Sequence, residues 1–578
     1  MPRIITHKND DLAFLVSDGS RCARNEAICL ANYLKISIQL PTYMGIPSYF
    51  SFIVKNHPSI MKKLSALGRK VDNLYLDSNS IIYDCLREIE GEFTGDDRAF
   101  EEILISNICE KLDTYMRATC PSKTVYIAFD GVAPVAKLEQ QRVRRYKSGL
   151  LKQIKRTVSE CPTATVWDQT AITPGTKFMG KLGRKIKAYY RGKTNAFGVK
   201  RIIVSSSNEC GEGEHKIFQY IRTNSRKHTN ETTLIYGLDA DLIMLCLNHL
   251  PISKRIYLYR ETPEFIKSID ANLEPNESYF LDIPELSRMI VSDMNNYRPI
   301  NSKQQTNRLY DYIFLCFFLG NDFMPHFPAV NIRTGGVHKM TTAYKNTIGK
   351  TNQNLTDGKN IFWNNVYTLV SYLADAEHSN LVAEYKLRNR WEKRSYSAND
   401  IDEKMEKLNH IPTKSRTLEK FIDPFSDHWE KRYYTALLHM DNTQGNLKKL
   451  CTNYMEGLEW TMKYYTSGCA DWRWKYDYNY PPLMKDLVKY IPRWPTVMIE
   501  PNTHVSVVPY VQLAYVLPRA SLGLLPSAIH ADLLRENTDC YSDRHSLCWA
   551  FCKYFWESHV LFPHVDIGQL EAIVARHS

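Results

Sequence analysis

In "TLIYGLDADLIMLCLNH" (233–249), Asp239 and Asp241 interrupt an otherwise nearly continuous apolar run. An extended strand end would point residues two apart the same way, so the spacing predicts two carboxylates facing one point. The pattern recurs in "CGEGEHK" (210–216), where Glu212 and Glu214 stand between glycines that let another backbone or a ligand come close. Asp322 follows an apolar helix in "FLGNDFMPH", and Asp77 and Asp130 end the runs "NLYLD" and "VYIAFD". Taken singly, each acid reads equally well as a helix cap or a surface charge. Together the seven would repel and stay protonated unless cations neutralised them. An all-oxygen donor set favours Mg²⁺ or Mn²⁺ over zinc, and two such ions suit phosphodiester cleavage.

A second constellation lies in "DGVAPVAKLEQQRVRRYKS" (130–148). Lys137, Gln141, Arg144 and Arg145 are spaced as one face of a helix, and this face donates hydrogen bonds. An ammonium, an amide and two guanidiniums beside an acidic centre fit a terminal phosphate monoester. That arrangement predicts an exonuclease that works from the 5′ end. The other reading of the face is a solvated surface.

These groups need elements to hold them. The runs 73–77, 125–130, 201–207 and 233–239 are rich in β-branched and aromatic residues, and helical segments such as 98–120 separate them. Such alternation predicts an α/β fold with a mostly parallel sheet flanked by helices, and ligands at the carboxyl ends of its strands. We expect a nuclease core over 44–345, a helical and loop connector over 346–430, and a mainly helical, aromatic-rich region over 431–578 wrapped against the core.

Composition agrees. The 578 residues carry a formal charge of +11, with eight basic residues and one acidic between 137 and 156 and eight basic and none acidic between 181 and 201. Such runs suit a polyanion, most simply nucleic acid. No apolar run reaches the roughly 18 residues a membrane span requires. The 14 cysteines include no C-x-x-C pair, and with no apolar leader at the start they give an expectation of a cytoplasmic protein, with a nuclear one as the alternative. His530, Cys540, His545, Cys548 and Cys552 are near enough in sequence to suggest zinc, but Cys548 and Cys552 lie four apart on an apolar helical pattern, which favours core packing.

With those residues in view, the chain resembles the 5′→3′ exoribonuclease (XRN) family, whose core belongs with the PIN-like and flap-endonuclease-like nucleases. The matching strings are "MGIPSYFSFIVKNHP" (44–58), "VDNLYLDSNSIIYDC" (71–85), "AFDGVAPVAKLEQQRVRR" (128–145), "ITPGTKFM" (172–179), "GEGEHKI" (211–217), "YGLDADLIML" (236–245) and "FLGNDFMPHFP" (318–328), followed by 454–482 and 511–526. The resemblance implies processive release of 5′-mononucleotides from single-stranded RNA bearing a 5′-monophosphate, with magnesium or manganese, and a role in RNA degradation such as mRNA decay. It implies a metal-binding set of Asp77, Asp130, Glu212, Glu214, Asp239, Asp241 and Asp322, and a 5′-phosphate pocket of Lys137, Gln141, Arg144 and Arg145.

The chain also departs from the family pattern. Ser80 and Tyr83 stand where the family has Gly and a base-stacking His, and Val135 replaces a commonly basic residue. Tyr83 keeps a stacking face but cannot become cationic; Trp472 or Trp474 is the expected partner aromatic. Residues 1–43 precede the usual start, so Met44 is an alternative first residue. Two rival readings are a flap-type DNA nuclease and an inert RNA-binding relative. The first lacks its glycine-rich hairpin after Asp322, and the second is opposed by all seven acids being present.

Overall fold

The computed structural model describes residues 48–158, 166–397 and 401–577. The segment 1–43 and the alternative start at Met44 lie outside them. Seven strands form one sheet: β1 (Met61–Lys63), β2 (Asn73–Asp77), β3 (Thr124–Ala128), β4 (Arg201–Ser205), β5 (Thr232–Tyr236), β6 (Arg255–Glu261) and β7 (Ser278–Leu281), in the order β1-β7-β6-β5-β2-β3-β4. The pairs joining β4, β3, β2, β5 and β6 are parallel, while β7 and β1 add on antiparallel. The four strands read from sequence are β2 to β5. The run "RIYLYRE" (255–261) forms β6, which was not anticipated although it is as continuously apolar between its polar ends as "NLYLD".

The central strands β2, β3 and β5 are buried on both faces, as strands inside parallel sheets are. Leu74 and Leu76 of β2, Val125 and Ile127 of β3 and Leu234 and Tyr236 of β5 face the helices Asn79–Ile89, Asp97–Thr119 and Lys177–Tyr190. Tyr75, Tyr126 and Ile235 face the opposite core. That second core runs on without a break into Trp363, Val366 and Leu369 of the 346–430 segment and into Tyr454, Leu458 and Trp460 of the aromatic-rich region. The later segments are therefore walls of one body, buried against the nuclease sheet.

The helix Val135–Val158 is gripped along its length. The loop leading into it and its first turn pack on residues 507–574 through Val132, Ala133 and Leu138, and its far part meets Leu547, Trp549 and Val560 through Leu151 and Ile154. The expectation of a helix around Cys548 and Cys552 is corrected: Ser546–Cys548 is a strand paired with His559–Leu561. Cys548 meets the Tyr480 hydroxyl, Cys552 donates to the Glu557 carbonyl, and both thiols are buried. No helix of the described residues is long and apolar enough to cross a membrane.

Candidate active site

Strand order decides where the site lies. After β2 the chain adds β3 and β4 on one side, then returns to place β5 on the other side of β2. This reversal opens a crevice at the carboxyl ends of β2 and β5, the place where open α/β sheets bind ligands. Asp77 ends β2, and Asp239 follows β5 by three residues.

The two carboxylate pairs are held differently from the extended-strand expectation. Asp241 is the first residue of the helix Asp241–Asn248, with Asp239 in the loop before it. Glu212 is the N-cap of the helix Gly213–Thr223, and Glu214 lies in its first turn. Helix N-termini, rather than strand pleats, collect these acids, and their positive dipole ends reduce the cost of doing so. Close packing brings in the rest. A Cβ on Gly213 would stand 2.5 Å from Asp77 Oδ1, so only glycine lets this helix approach β2. The Gly213 N–H donates to Asp130 Oδ1 at 2.7 Å, while Asn79 and Asp130 exchange two hydrogen bonds. Asp322 sits in a turn beyond the helix Ser302–Phe317, where Asn321 Oδ1 accepts from the N–H groups of Phe323 and Met324.

Six of the seven acids line one cleft of about 1880 Å³: Asp77, Asp130, Glu212, Glu214, Asp239 and Asp322. Asp241 is buried just behind, close enough to Glu214 to raise its pKa. Burial, with Asp130, Asp239 and Glu212 nearby, pushes the Asp77 carboxyl well above the ordinary carboxylate range. Glu214 is driven up by burial and then by Glu212, and burial raises Glu212 against the pull of Lys137. Asp77 Oδ1 and Glu214 Oε2 are buried without a hydrogen-bond partner. Orphaned carboxylate oxygens in an all-oxygen pocket fit hard divalent cations, because such oxygens are costly to bury unless something positive meets them. Among the described residues, Glu212, Glu214 and His215 also bring ligand atoms within 4.8 Å of one another.

Lys137 stands inside this cluster. Its ammonium is 2.6 Å from both Glu212 Oε2 and Asp322 Oδ2, which outweigh the effect of burial and hold its pKa well above the lysine value. Gln141, Arg144 and Arg145 line the same cleft farther along their helix. Gln141 Oε1 is buried and unpartnered. Arg145 donates to Thr173 Oγ1 at 2.8 Å; burial, opposed by Tyr83 and aided by Arg144, lowers its pKa to about 10, still cationic at neutral pH.

Not all of the basic run serves the cleft. Arg142 donates to the carbonyls of Pro563 and Cys540 and lies 4.0 Å from the Phe562 ring centroid. Lys147 donates to the carbonyls of Trp556 and Ser558, and burial lowers it to about 8. Both fasten the helix to the C-terminal region. In the second basic run, Lys181, Lys185 and Lys187 are paired with Glu101, Glu102 and Glu209.

Tyr83 lines the cleft as anticipated; neither Trp472 nor Trp474 does. Trp474 is buried with its ring stacked on Trp460 at 5.1 Å, and the Trp472 carbonyl accepts the N–H of Val135. Trp556 lines the cleft instead, near the Arg333 guanidinium. Sequence reading passed over Asn79, Lys216 and Tyr464. Lys216 donates to the carbonyls of Phe129 and Ser206, tying together the loops that follow β3 and β4. Tyr464 donates to Glu212 Oε1 at 2.8 Å. The available signals were Asn79 two residues after Asp77 and the Trp460–Tyr464 spacing on one helical face.

Residues 44–262 match the family profile described as XRN 5'-3' exonuclease N-terminus, and 303–423 with 422–576 match the Xrn1 helical domain. The chain belongs to the XRN 5′-3′ exonuclease family. Similar proteins include a 5'-3' exoribonuclease 2 homolog of Drosophila melanogaster, 26% identical over 91% of this chain and 70% of that protein. The 5'-3' exoribonuclease 1 of Saccharomyces cerevisiae is 26% identical over 91% of this chain and 43% of its own length. The human 5'-3' exoribonuclease 1 is 27% identical over 91% of this chain and 34% of its own length. The chain thus spans from about a third to about seven-tenths of these relatives. All seven acids and the four phosphate-helix residues fall inside the first match or, for Asp322, the second.

Proposed function

We propose that this chain is a 5′→3′ exoribonuclease that hydrolyses 5′-monophosphorylated single-stranded RNA to 5′-mononucleotides. One observation carries the reading: a floor of buried acids and a wall of Gln141, Arg144 and Arg145 share a single cleft. Asp77, Asp130, Glu212, Glu214, Asp239, Asp241 and Asp322 would hold Mg²⁺ or Mn²⁺, in keeping with the metal dependence of this family. A bound pair of such ions supplies an activated water and a stabilised leaving oxygen.

The chain's own groups select and place the substrate. Arg144 and Arg145 present planar forks suited to a phosphate monoester, and Gln141 adds an amide donor. Tyr83, on the same cleft, offers a ring face for the first base. Hydrolysis adds water across the phosphodiester and breaks the bond from phosphorus to the 3′ oxygen of the first nucleotide. The released nucleotide carries a 3′-hydroxyl, and the shortened RNA carries a new 5′-phosphate that fits the same wall.

A magnesium-dependent assay on one RNA with 5′-monophosphate, 5′-hydroxyl or capped ends, run beside a 5′-flap DNA, tests this. Rapid conversion of the 5′-monophosphate RNA alone to mononucleotides is the expected result. Preference for the flap, or equal rates on all RNA ends, would overturn it.

A further inference from the structure

Four aromatic rings form a column that ends at the acidic cluster. Trp474 stacks on Trp460 at 5.1 Å, Trp460 on Tyr464 at 4.8 Å, and Tyr464 on His215 at 3.7 Å, with each pair within 25° of parallel. Phe323, the neighbour of Asp322, abuts Trp460 at 5.0 Å and Tyr464 at 5.5 Å in edge-on contacts. Trp460 is fixed by its own donation to the Asp471 carbonyl at 2.8 Å. On the helix Gln444–Thr466, Gly457 leaves room for Met324 and Trp474: a Cβ there would fall 2.1 Å from Met324 Sδ and 3.0 Å from the Trp474 ring. Trp474, Trp460 and Tyr464 thus come from the aromatic-rich region, and His215 comes from the helix that carries Glu214.

The geometry points to Tyr464 as a positioning residue for the metal site. Its hydroxyl donates to Glu212 Oε1 while Lys137 holds Glu212 Oε2, so the carboxylate is fixed from both sides. Tyr464 is buried. The ring cannot swing away, because His215 covers one face and Trp460 the other. Tyr464 touches no reacting atom; it acts through Glu212. The aromatic-rich region therefore helps to build the metal centre as well as to enclose it. This inference rests on the metal-nuclease reading above.

The test is Mn²⁺ binding to the full chain without RNA, followed by electron paramagnetic resonance. Tyr464→Phe keeps the ring and removes only the donor. We expect the tightest Mn²⁺ affinity to fall about tenfold, the range of a lost hydrogen bond to a charged group. Adding Tyr464→Phe to Glu212→Gln should cost nothing further, because the two act through one carboxylate. On 5′-phosphorylated RNA, excess Mg²⁺ should restore the rate of Tyr464→Phe, with KM unchanged throughout, a rescue that a loosened fold would not show. Affinity within twofold of the unaltered chain, additive losses in the double variant, or failure of Mg²⁺ rescue would each overturn the role of Tyr464. Absence of Mn²⁺ binding by the unaltered chain would remove the metal reading itself and this inference with it.

Discussion

Lys137 shows how far a single residue's role depends on its neighbours. Helical spacing placed it with the phosphate-binding face, and the structure places its ammonium between Glu212 and Asp322. One turn and two turns farther on, Gln141, Arg144 and Arg145 do line the substrate cleft. Separate substitutions should therefore separate two functions. Asp239→Ala should abolish turnover while RNA affinity, measured in EDTA, stays within about threefold. Arg144→Ala should keep turnover but cut the preference for 5′-phosphate over 5′-hydroxyl RNA by about tenfold or more, a charge-assisted hydrogen bond being worth about 1.5–3 kcal/mol. The acids were legible in sequence because charge inside an apolar run requires a reason. Tyr464 was not, since one tyrosine among many carries no such mark until its partner is known.

At the scale of elements, four strands and the phosphate helix could be read from pattern, but the conformation around the paired acids could not. Spacing of two suits both an extended chain and a loop entering a helix, and Gly213 and Ala240 gave no periodic cue. The 346–430 segment read as a connector because its charges are dense, yet Trp363 and Val366 sink into the sheet's core. Its entry loop is held by Asp311, which accepts from the N–H groups of Leu355 and Thr356 and from the Tyr344 hydroxyl. Burial raises Asp311 to about 7, against these bonds and Arg308. Its folded value lies above its unfolded value near 4, so its contribution to stability is full below pH ~4 and is lost as pH rises through about 7. Asp311→Asn should flatten that slope. Thermal melts at pH 6 and pH 8 should differ less for the variant than for the unaltered chain; an identical difference would refute this account.

For the whole molecule, the basic helix Val135–Val158 joins the two regions. Arg142 and Lys147 border the cleft as well, but their donors bind carbonyls of residues 540–563. Arg142→Ala should lower stability by about 1–3 kcal/mol, read as an earlier denaturation midpoint, with the 5′-end preference of the remaining folded protein unchanged. A loss of that preference at full stability would show that Arg142 meets substrate after all. The two dense basic runs pointed to nucleic acid, but they could not say which cations were spent on internal carbonyls. That division appears only when both faces of the helix have neighbours.

The Val135 N–H is bound to the Trp472 carbonyl at one end of this helix, and Lys147 is bound to the Trp556 and Ser558 carbonyls three turns later. An anchor clamped at its first residue and again at its middle cannot slide relative to the acids it faces. The stride along a polymer should then stay at one unit on every sequence and at every temperature the protein survives, and heating should end the activity abruptly without first yielding products of mixed length.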